Sequence, residues 1–393
     1  MRRTFSQWEV VVAQALIGVG VTFLAFFAPS VPFALALVPL VAGVLMGTRR
    51  ARAAAMACFM LWPVMISAIG LIGTELDAVM VWGGAVAGLT ALAGLAAFAG
   101  VTGTTLMLLA VPVFPASPLL PLASLSGGSL LWIVVSLTIA SCVEYAGPRS
   151  LYLRAGLLAI PVTALIGVHV APLMRAEGAE HAAQARPVWQ ELRVPPALTE
   201  RGQWLVLRDS LPTGATVVLG ENMFRAEDAE PLSFWCRAAR ARDLTVFIGV
   251  SEPYGGTRRG AVWRLDSDRC RPRPISAQYR ARLGIPGLTG TWGRMERAAD
   301  EATVSAVAHR DPEADWLICF EAFLPWAWAG LLQDGATAAP VVILSNDSAF
   351  GAQAGAMSTL RRKAAAALGR LTGRPVHHAE AGRTYLIAGG PTL

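Results

Sequence analysis

The chain has 393 residues, of which 54% are hydrophobic and only 15% are charged, and its net charge is +6. Soluble domains carry about 25% charged residues, so this composition excludes an ordinary soluble protein over the whole length. The charges are also unevenly placed, because between Arg52 and Gly147 only Glu75, Asp77 and Glu144 are charged. We therefore expect two domains of different solvent class.

The N-terminal 172 residues contain repeated apolar stretches of the length that crosses a bilayer, which is about 20 residues. Four prolines interrupt the fifth stretch, and prolines are tolerated in membrane helices whose neighbours satisfy the freed carbonyl groups. We predict a multi-spanning α-helical membrane domain over residues 1–172, with about seven helices at 9–28, 31–47, 53–72, 78–100, 103–122, 127–144 and 151–172.

Charged residues beside these stretches predict the orientation, since cytoplasmic loops are enriched in arginine. Arg2 and Arg3 place the N-terminus in the cytoplasm, and the acidic loop with Glu75 and Asp77 falls outside. The arginines predicted on the cytoplasmic side are those at 49, 50, 52, 149 and 154. An odd number of spans then delivers the C-terminal half to the outer face of the membrane.

Residues 173–196 are polar and close with two prolines, which predicts a linker. From residue 197 to 393, short apolar runs alternate with helical segments, which indicates an α/β sandwich. The predicted strands lie at 216–219, 244–250, 260–265, 316–319, 341–344 and 384–388, and the predicted helices at 231–242 and 358–371.

Three of the predicted strands end in polar motifs. The sequences are Val-Leu-Gly-Glu-Asn at 218–222, Leu-Ile-Cys-Phe-Glu-Ala-Phe at 317–323, and Leu-Ser-Asn-Asp-Ser-Ala-Phe-Gly at 344–351. The end of a buried strand is where α/β proteins place their active residues. A carboxylate at the end of another strand can act as the base for a cysteine, because the thiolate is the nucleophile.

This order of motifs resembles the nitrilase (carbon–nitrogen hydrolase) superfamily, in its membrane-bound branch of apolipoprotein N-acyltransferases. The Cys-Phe-Glu triplet and a Ser-Asn-Asp-x-x-Phe-Gly segment that begins 26 residues after Cys319 carry the resemblance. The compact size and the lack of a predicted span in the C-terminal half are similar to the conjugal-transfer TraB family. The resemblance implies a nitrilase-like αββα sandwich over residues 197–393, outside the cytoplasm.

The resemblance also implies a Glu–Lys–Cys triad. Glu221 matches the general base and Cys319 the nucleophile, whereas Arg280 occupies the position of the lysine. Arginine can direct cationic donors at an oxyanion, although it does not release a proton readily and its planar fork differs from an ammonium group. The glutamate that the acyltransferases carry after the next proline is absent, since Gly-Leu-Thr follows Pro286.

Three further residues are expected to support this site. Glu321 would orient the nucleophile loop, and Asn346 and Asp347 would brace the site through backbone hydrogen bonds, as such side chains do at turns. His377 and His378 are adjacent in a strand, so they point to opposite faces and cannot share one ligand site. No Cys/His cluster has metal-ligand spacing, and no metal or other cofactor is expected.

The remaining cysteines and the only lysine have simpler interpretations. Cys58 and Cys142 lie in apolar stretches and are expected to be packing residues. Cys236 and Cys270 could form a disulfide if their domain is extracytoplasmic, which the sequence leaves open. Lys363 follows two arginines in a predicted helix and is expected on a solvated face.

Two functions fit these residues. The first is a Cys-dependent acyltransferase or amidase in the bacterial inner membrane, with a periplasmic catalytic domain and a lipid or lipoprotein-like substrate. The second is a catalytically impaired nitrilase-like scaffold that supports conjugal plasmid transfer through contacts with proteins of the conjugation machinery. The arginines are scattered rather than grouped with aromatic residues, so no direct binding to nucleic acid is predicted.

Overall fold

The computed structural model describes residues 7–72, 78–110, 119–125, 130–145, 189–193, 202, 205, 211–221, 223–254, 257–267, 273–277, 314–318, 322–323, 340–346, 354–380 and 384–388. The chain divides into two compact units. The first unit holds Met1–His181, Phe323–Trp326 and Thr359–Gly373, and the second holds Ala182–Ala322, Ala327–Ser358 and Arg374–Leu393.

The regular secondary structure of the described N-terminal region is all helical. Two of its helical stretches, Glu9–Phe27 and Ala78–Leu108, are long and apolar enough to cross a membrane, and Phe33–Met46 and Ile133–Tyr145 are shorter apolar stretches. Large apolar side chains such as Leu16, Val79 and Phe98 are exposed on the outside of these helices. The elements are α1 (Gln7–Phe27), a 3-10 helix (Phe33–Leu37), α2 (Val38–Met46), α3 (Arg49–Ile72), α4 (Ala78–Ala110), α5 (Leu119–Leu125) and α6 (Leu130–Tyr145).

The predicted spans correspond unequally to these helices. Helices lie over the first and third predicted spans, whereas the second begins as a 3-10 helix and contributes only nine α-helical residues. That α-helix ends at Gly47, whose φ of 66° lies in the left-handed region, a conformation that glycine adopts without strain. The predicted seventh span, 151–172, lies outside the described residues.

Helix α4 is broken at Gly100. The backbone there has φ 84° and ψ 160°, which is not helical, and only glycine adopts this conformation readily. A Cβ atom at this position would lie 2.6 Å from the Tyr145 hydroxyl oxygen, so the site also lacks room for a side chain. The break falls at residue 100, where the sequence predicts the end of the fourth span.

The carboxylate of Glu144 caps the helical segment that follows the break. It accepts hydrogen bonds from the backbone N–H groups of Val101, at 2.8 Å, and Thr102, at 2.9 Å. The side chain of Glu144 is buried and forms an ion pair of 2.9 Å with Arg52. A negative charge at a helix N-terminus satisfies free N–H groups and interacts favourably with the helix dipole. Three segments distant in sequence therefore meet at one buried cluster of charge.

Lys363 caps the C-terminal end of α1. Its ammonium group donates to the backbone oxygens of Ala25 and Val31, the second at 2.8 Å, and lies 5.9 Å from the centre of the Phe33 ring. Burial lowers the pKa of Lys363 to about 8. The prediction of a solvated face is wrong for this residue, because free carbonyl groups at a helix end attract a cation that a surface pattern does not reveal.

The second unit contains the strands. They are β1 (Gln190–Arg193), β2 (Thr216–Val218), β3 (Phe224–Arg225), β4 (Thr245–Tyr254), β5 (Thr257–Leu265), β6 (Arg273–Ala277), β7 (Asp315–Ile318), β8 (Val341–Ser345), β9 (Val376–Glu380) and β10 (Thr384–Ala388). Two described helices accompany the strands in sequence, α7 (Ala229–Arg242) and α8 (Ala354–Thr372). The bounds of the predicted strands agree with the structure to within four residues, and those of 384–388 agree at both ends. Strand β1 lies inside the segment predicted as a linker and pairs with β10.

The strands follow the order β6-β5-β4-β2-β10-β9-β8-β7. Strands β2 and β4 are parallel, and so are β7, β8 and β9. Within the part of the chain that the structure describes, one residue pair, Thr384 with Glu380, joins β10 to β9, so the sheet consists of two blocks. Phe247 of β4 packs on Trp316 of β7 with ring centres 4.8 Å apart, which brings one face of each block together.

Helix α7 covers the other face of the first block. Trp235 is fully buried there against alternate residues of β4, including Val246 and Ile248. Alternation follows from the two-residue period of a strand, which sends Phe247 to the opposite face. Cys236, in the same helix, is disulfide-bonded, whereas Cys58 and Cys142 are free.

Candidate active site at the strand ends

Glu221 lies three residues beyond the end of β2 and is buried. Val217 and Val218 are fully buried and fix the strand, and the Leu219 N–H extends the pairing by donating to the Phe247 oxygen at 2.8 Å. Glu221 therefore lies just beyond the carboxyl end of a strand that is parallel to its neighbour β4. Open α/β sheets bind their ligands at this edge.

Two hydrogen bonds tie Glu221 to the end of β8. Its backbone N–H donates to the Ser345 oxygen at 3.2 Å. Its side-chain Oε2 accepts the backbone N–H of Asn346 at 3.1 Å. The predicted bracing by the Asn346 side chain stays a prediction, whereas the backbone N–H of Asn346 bonds directly to the carboxylate of the predicted base. Hydrogen bonds of this kind to an ionised carboxylate are stronger than neutral ones.

Gly249 of β4 makes the close approach of these segments possible. Its N–H donates to the Gly220 oxygen at 3.2 Å, and its own oxygen accepts the Met223 N–H at 2.8 Å. A Cβ atom at position 249 would lie 2.5 Å from the Glu221 Cα. The backbone that carries Glu221 therefore rests directly on a strand position that has no side chain.

The other predicted residues cannot be placed in the same way. Cys319, Glu321, Asp347 and Arg280 lie outside the described residues. Strand β7 ends at Ile318, which is in register with Leu344 of β8, and Cys319 follows Ile318 directly in the chain. Of the six predicted site residues, the two that the structure describes, Glu221 and Asn346, are in contact with each other.

The two adjacent histidines of β9 have different partners. His378 shares a hydrogen bond of 2.7 Å with the Ser345 hydroxyl, in which the donor depends on the imidazole tautomer. His377 stacks on Trp189 with ring centres 4.7 Å apart, and burial lowers its pKa to about 4. Among the described residues, no group of three His, Cys, Asp or Glu side chains could hold a metal ion.

Sequence reasoning missed two parts of this arrangement, Gly249 and the pair of Ser345 with His378. Gly249 sits inside an apolar strand, and an isolated glycine in a strand is a known sign of close backbone approach. That signal was available in the sequence. The partner of His378 was not, because it depends on the order of β8 and β9 in the sheet.

Comparisons with known proteins add no family. No protein-family model matches the chain, and no curated protein matches it. The assignment of function therefore rests on the residues and their geometry.

Proposed function

We propose that this protein is a membrane-anchored, nitrilase-like enzyme that transfers or hydrolyses acyl groups through a thioester on Cys319. The contact between Glu221 and Asn346 carries the proposal. It joins two of the three strand-end motifs, and the third motif begins where β7 ends, beside β8. Polar groups from distant parts of the sequence that meet at one edge of a sheet are candidates for a single catalytic site.

In the proposed reaction, Glu221 takes the proton of the Cys319 thiol. The sulfur then forms a bond to the acyl carbonyl carbon, and Arg280 stabilises the oxyanion of the tetrahedral intermediate. The bond to the leaving group breaks, and the leaving group takes the proton from Glu221. An amine or water attacks the thioester, gives its proton to Glu221, and releases the cysteine as thiolate. Glu321 and Asp347 support the nucleophile loop, and no cofactor is required.

The proposed setting is the bacterial inner membrane, with about seven spans, a cytoplasmic N-terminus and a periplasmic catalytic domain of the αββα class. Two helices of sufficient length and apolarity support a membrane location. The contact of Phe247 with Trp316 between two strand blocks, with Trp235 of α7 behind the first block, supports a layered sandwich. A lipid or lipoprotein-like substrate would reach such a domain from the outer leaflet.

The disulfide at Cys236 supports placement outside the cytoplasm, because disulfides persist in oxidising compartments. Its partner must be a cysteine other than Cys58 and Cys142, which are free. The proposed enzyme requires that this partner is Cys270, so that the Cys319 thiol remains available. Peptide mapping of the unreduced protein tests this requirement, and a peptide that links Cys236 to Cys319 would exclude the enzyme.

The decisive experiment measures acylation of Cys319. The full-length protein is incubated in liposomes of phosphatidylethanolamine and phosphatidylglycerol, and the mass of each cysteine peptide is determined. We expect an acyl adduct on Cys319 that is absent in Cys319→Ala and reduced in Glu221→Gln. Cys142→Ala is the matched control, since Cys142 is a free and exposed cysteine, and it should leave the adduct unchanged.

The second candidate function is a non-catalytic scaffold for conjugal DNA transfer. The arginine at position 280 and the absence of the second glutamate favour it. In this case no adduct forms with any phospholipid, and Arg280→Lys does not create one. Mating efficiency in cells that carry Cys319→Ala separates the two functions, because a scaffold keeps full efficiency and an enzyme required for transfer does not.

A further inference from the structure

A chain of hydrogen bonds runs from His378 to Glu221 across two strands. The imidazole Nε2 is 2.7 Å from the Ser345 hydroxyl oxygen. The backbone oxygen of Ser345 accepts the Glu221 N–H, and the next N–H, of Asn346, donates to the Glu221 carboxylate. The peptide group between Ser345 and Asn346 therefore contacts Glu221 at both ends of that residue, its backbone and its side chain.

The hydrogen bond of His378 is not made to the residue with which His378 is paired in the sheet. In the parallel register, His378 is paired with Ile343, and Glu380 is paired with Ser345. The imidazole therefore reaches two residues forward along the strand to meet the serine at the end of β8. Ser345 is fully buried, and a buried hydroxyl needs a hydrogen-bond partner, which His378 provides.

We propose that His378 is a positioning residue for Glu221 and acts through Ser345. This inference rests on the proposed function, in which Glu221 is the base for Cys319. The imidazole holds the Ser345 side chain, and thereby the orientation of the peptide group that follows it. That peptide group donates to one oxygen of the Glu221 carboxylate. The orientation of the whole carboxylate, which must face the thiol, is thereby fixed. Without the imidazole the base is still present but is less well aligned.

A hydrogen bond between β8 and β9 could also serve only to stabilise the sheet. The two roles differ in what the side chain must supply. A stabilising role is met by any side chain that fills the space, whereas positioning requires a polar atom at the place of Nε2. The amide nitrogen of glutamine lies at a similar distance from the backbone and can bond to the hydroxyl. Leucine fills the space and cannot form the bond.

The test compares His378→Gln, His378→Leu and Ser345→Ala in the full-length protein in detergent. The first measurement is the rate of Cys319 alkylation by iodoacetamide as a function of pH, followed on the Cys319 peptide. We expect about a 10-fold slower rate at pH 7 in His378→Leu and in Ser345→Ala, which corresponds to about 1.4 kcal/mol of lost alignment. His378→Gln should stay within about 3-fold of the parent, and the double variant should equal either single variant.

His377→Gln is the matched control, since His377 is the adjacent residue of β9 and faces Trp189 instead. An equal slowing in His377→Gln would mean that general weakening of β9 is responsible, and this would overturn the proposal. A slow rate in His378→Gln, equal to that in His378→Leu, would overturn it as well. So would a normal rate in His378→Leu together with a slow rate in Glu221→Gln, and in that case the proposed function would stand.

A second measurement keeps the two hypotheses separate. If Glu221→Gln leaves the alkylation rate unchanged, the proposed function fails, because Glu221 is then not the base. Hydrogen exchange at the backbone amides of Glu221 and Asn346 still tests the link to His378. Faster exchange at both amides in His378→Leu, restored in His378→Gln, supports the positioning of Glu221, and unchanged exchange overturns it.

Discussion

Replacing Gly249 by alanine should disturb the site without changing any of the predicted site residues. The added Cβ would lie 2.5 Å from the Glu221 Cα, which is about 0.9 Å closer than the 3.4 Å at which ordinary contact begins. Both atoms belong to backbone or to groups fixed to it, so neither can turn away. The segment of Gly220 and Glu221 must therefore move off β4 by roughly 1 Å.

The cost can be worked out from two contributions. Overpacking of a well-packed interior costs about 1–3 kcal/mol. Weakening the hydrogen bond from the Gly249 N–H to the Gly220 oxygen, now 3.2 Å long, costs about 0.5–1.5 kcal/mol. We expect the free energy of unfolding to fall by about 1.5–4.5 kcal/mol in total. For a unit of this size the midpoint temperature should drop by roughly 5–15 °C.

The assay is thermal unfolding of the full-length protein in detergent, followed by near-ultraviolet circular dichroism, together with the rate of Cys319 alkylation. Gly355→Ala is the control, because Gly355 is exposed in α8 and a Cβ there has no atom within 4 Å. Alanine favours a helix over glycine by up to about 1 kcal/mol, so the control should be neutral or slightly stabilising. The reasoning is refuted if Gly249→Ala unfolds at the same temperature as the control and keeps the parental alkylation rate.

Three further variants test other parts of the structure by unfolding in detergent. Glu144→Gln leaves Arg52 without its charged partner in a buried site and should cost about 3 kcal/mol. Lys363→Met removes the donor to two carbonyl groups at the end of α1 and should cost about 1–3 kcal/mol. The pKa of His377 is about 4 in the folded protein and 6.5 ordinarily. The unfolded chain therefore binds a proton at this residue before the folded protein does, and the stability present above pH 6.5 is lost as the pH falls to about 4. His377→Phe, which keeps a ring against Trp189, should therefore lose about 1–2 kcal/mol less stability over that pH range than the parent, after allowance for solvent screening.

Each of these predictions has an internal control. Glu9→Gln makes the same change of charge at an exposed position of α1, and equal costs for it and Glu144→Gln would contradict a buried ion pair. Arg362→Met changes an exposed neighbour of Lys363 in α8 and should cost less than Lys363→Met. For His377→Phe the comparison at pH 7.5 is the reference. A parallel loss of stability in both proteins on acidification would show that His377 takes up its proton as readily in the folded protein as in the unfolded one.

The local elements could be predicted from the sequence because each is determined by nearby residues. The apolar period identifies α7 and β4, and the helix of residues 358–371 is found as α8. Strand β1 was not predicted, because its four residues, Gln190–Arg193, carry no apolar alternation and form a strand only by pairing with β10. The edges of a sheet depend on partners that lie far away in the sequence.

The site shows the same division. The motifs predict that Glu221 and Asn346 belong to one site, and the structure shows a hydrogen bond between these residues, which are separated by 125 positions. Which atoms meet could not be predicted, since it depends on β8 lying beside β9 and on Gly249 lying beneath Glu221. The predicted role of Asn346 belonged to its side chain, whereas the contact in the structure is made by its backbone N–H. The hydrogen bond between Ser345 and His378 also could not be predicted, because His378 belongs to none of the three strand-end motifs.

The buried ion pair also constrains the topology of the helical half. Arg52 directly precedes the predicted third span, Gly100 ends the fourth, and Glu144 ends the sixth. Opposite faces of a bilayer are about 30 Å apart, whereas Arg52 and Glu144 are 2.9 Å apart. If these helices cross a membrane, the number of crossings between residues 52 and 144 is therefore even. The break at Gly100 gives α4 a first segment of 22 residues, about 33 Å long, which is the length of one crossing. Glu144 also accepts hydrogen bonds from the N–H groups of Val101 and Thr102, so the same argument makes the number of crossings between residues 102 and 144 even. Under this condition, the fifth and sixth predicted spans either both cross or neither does.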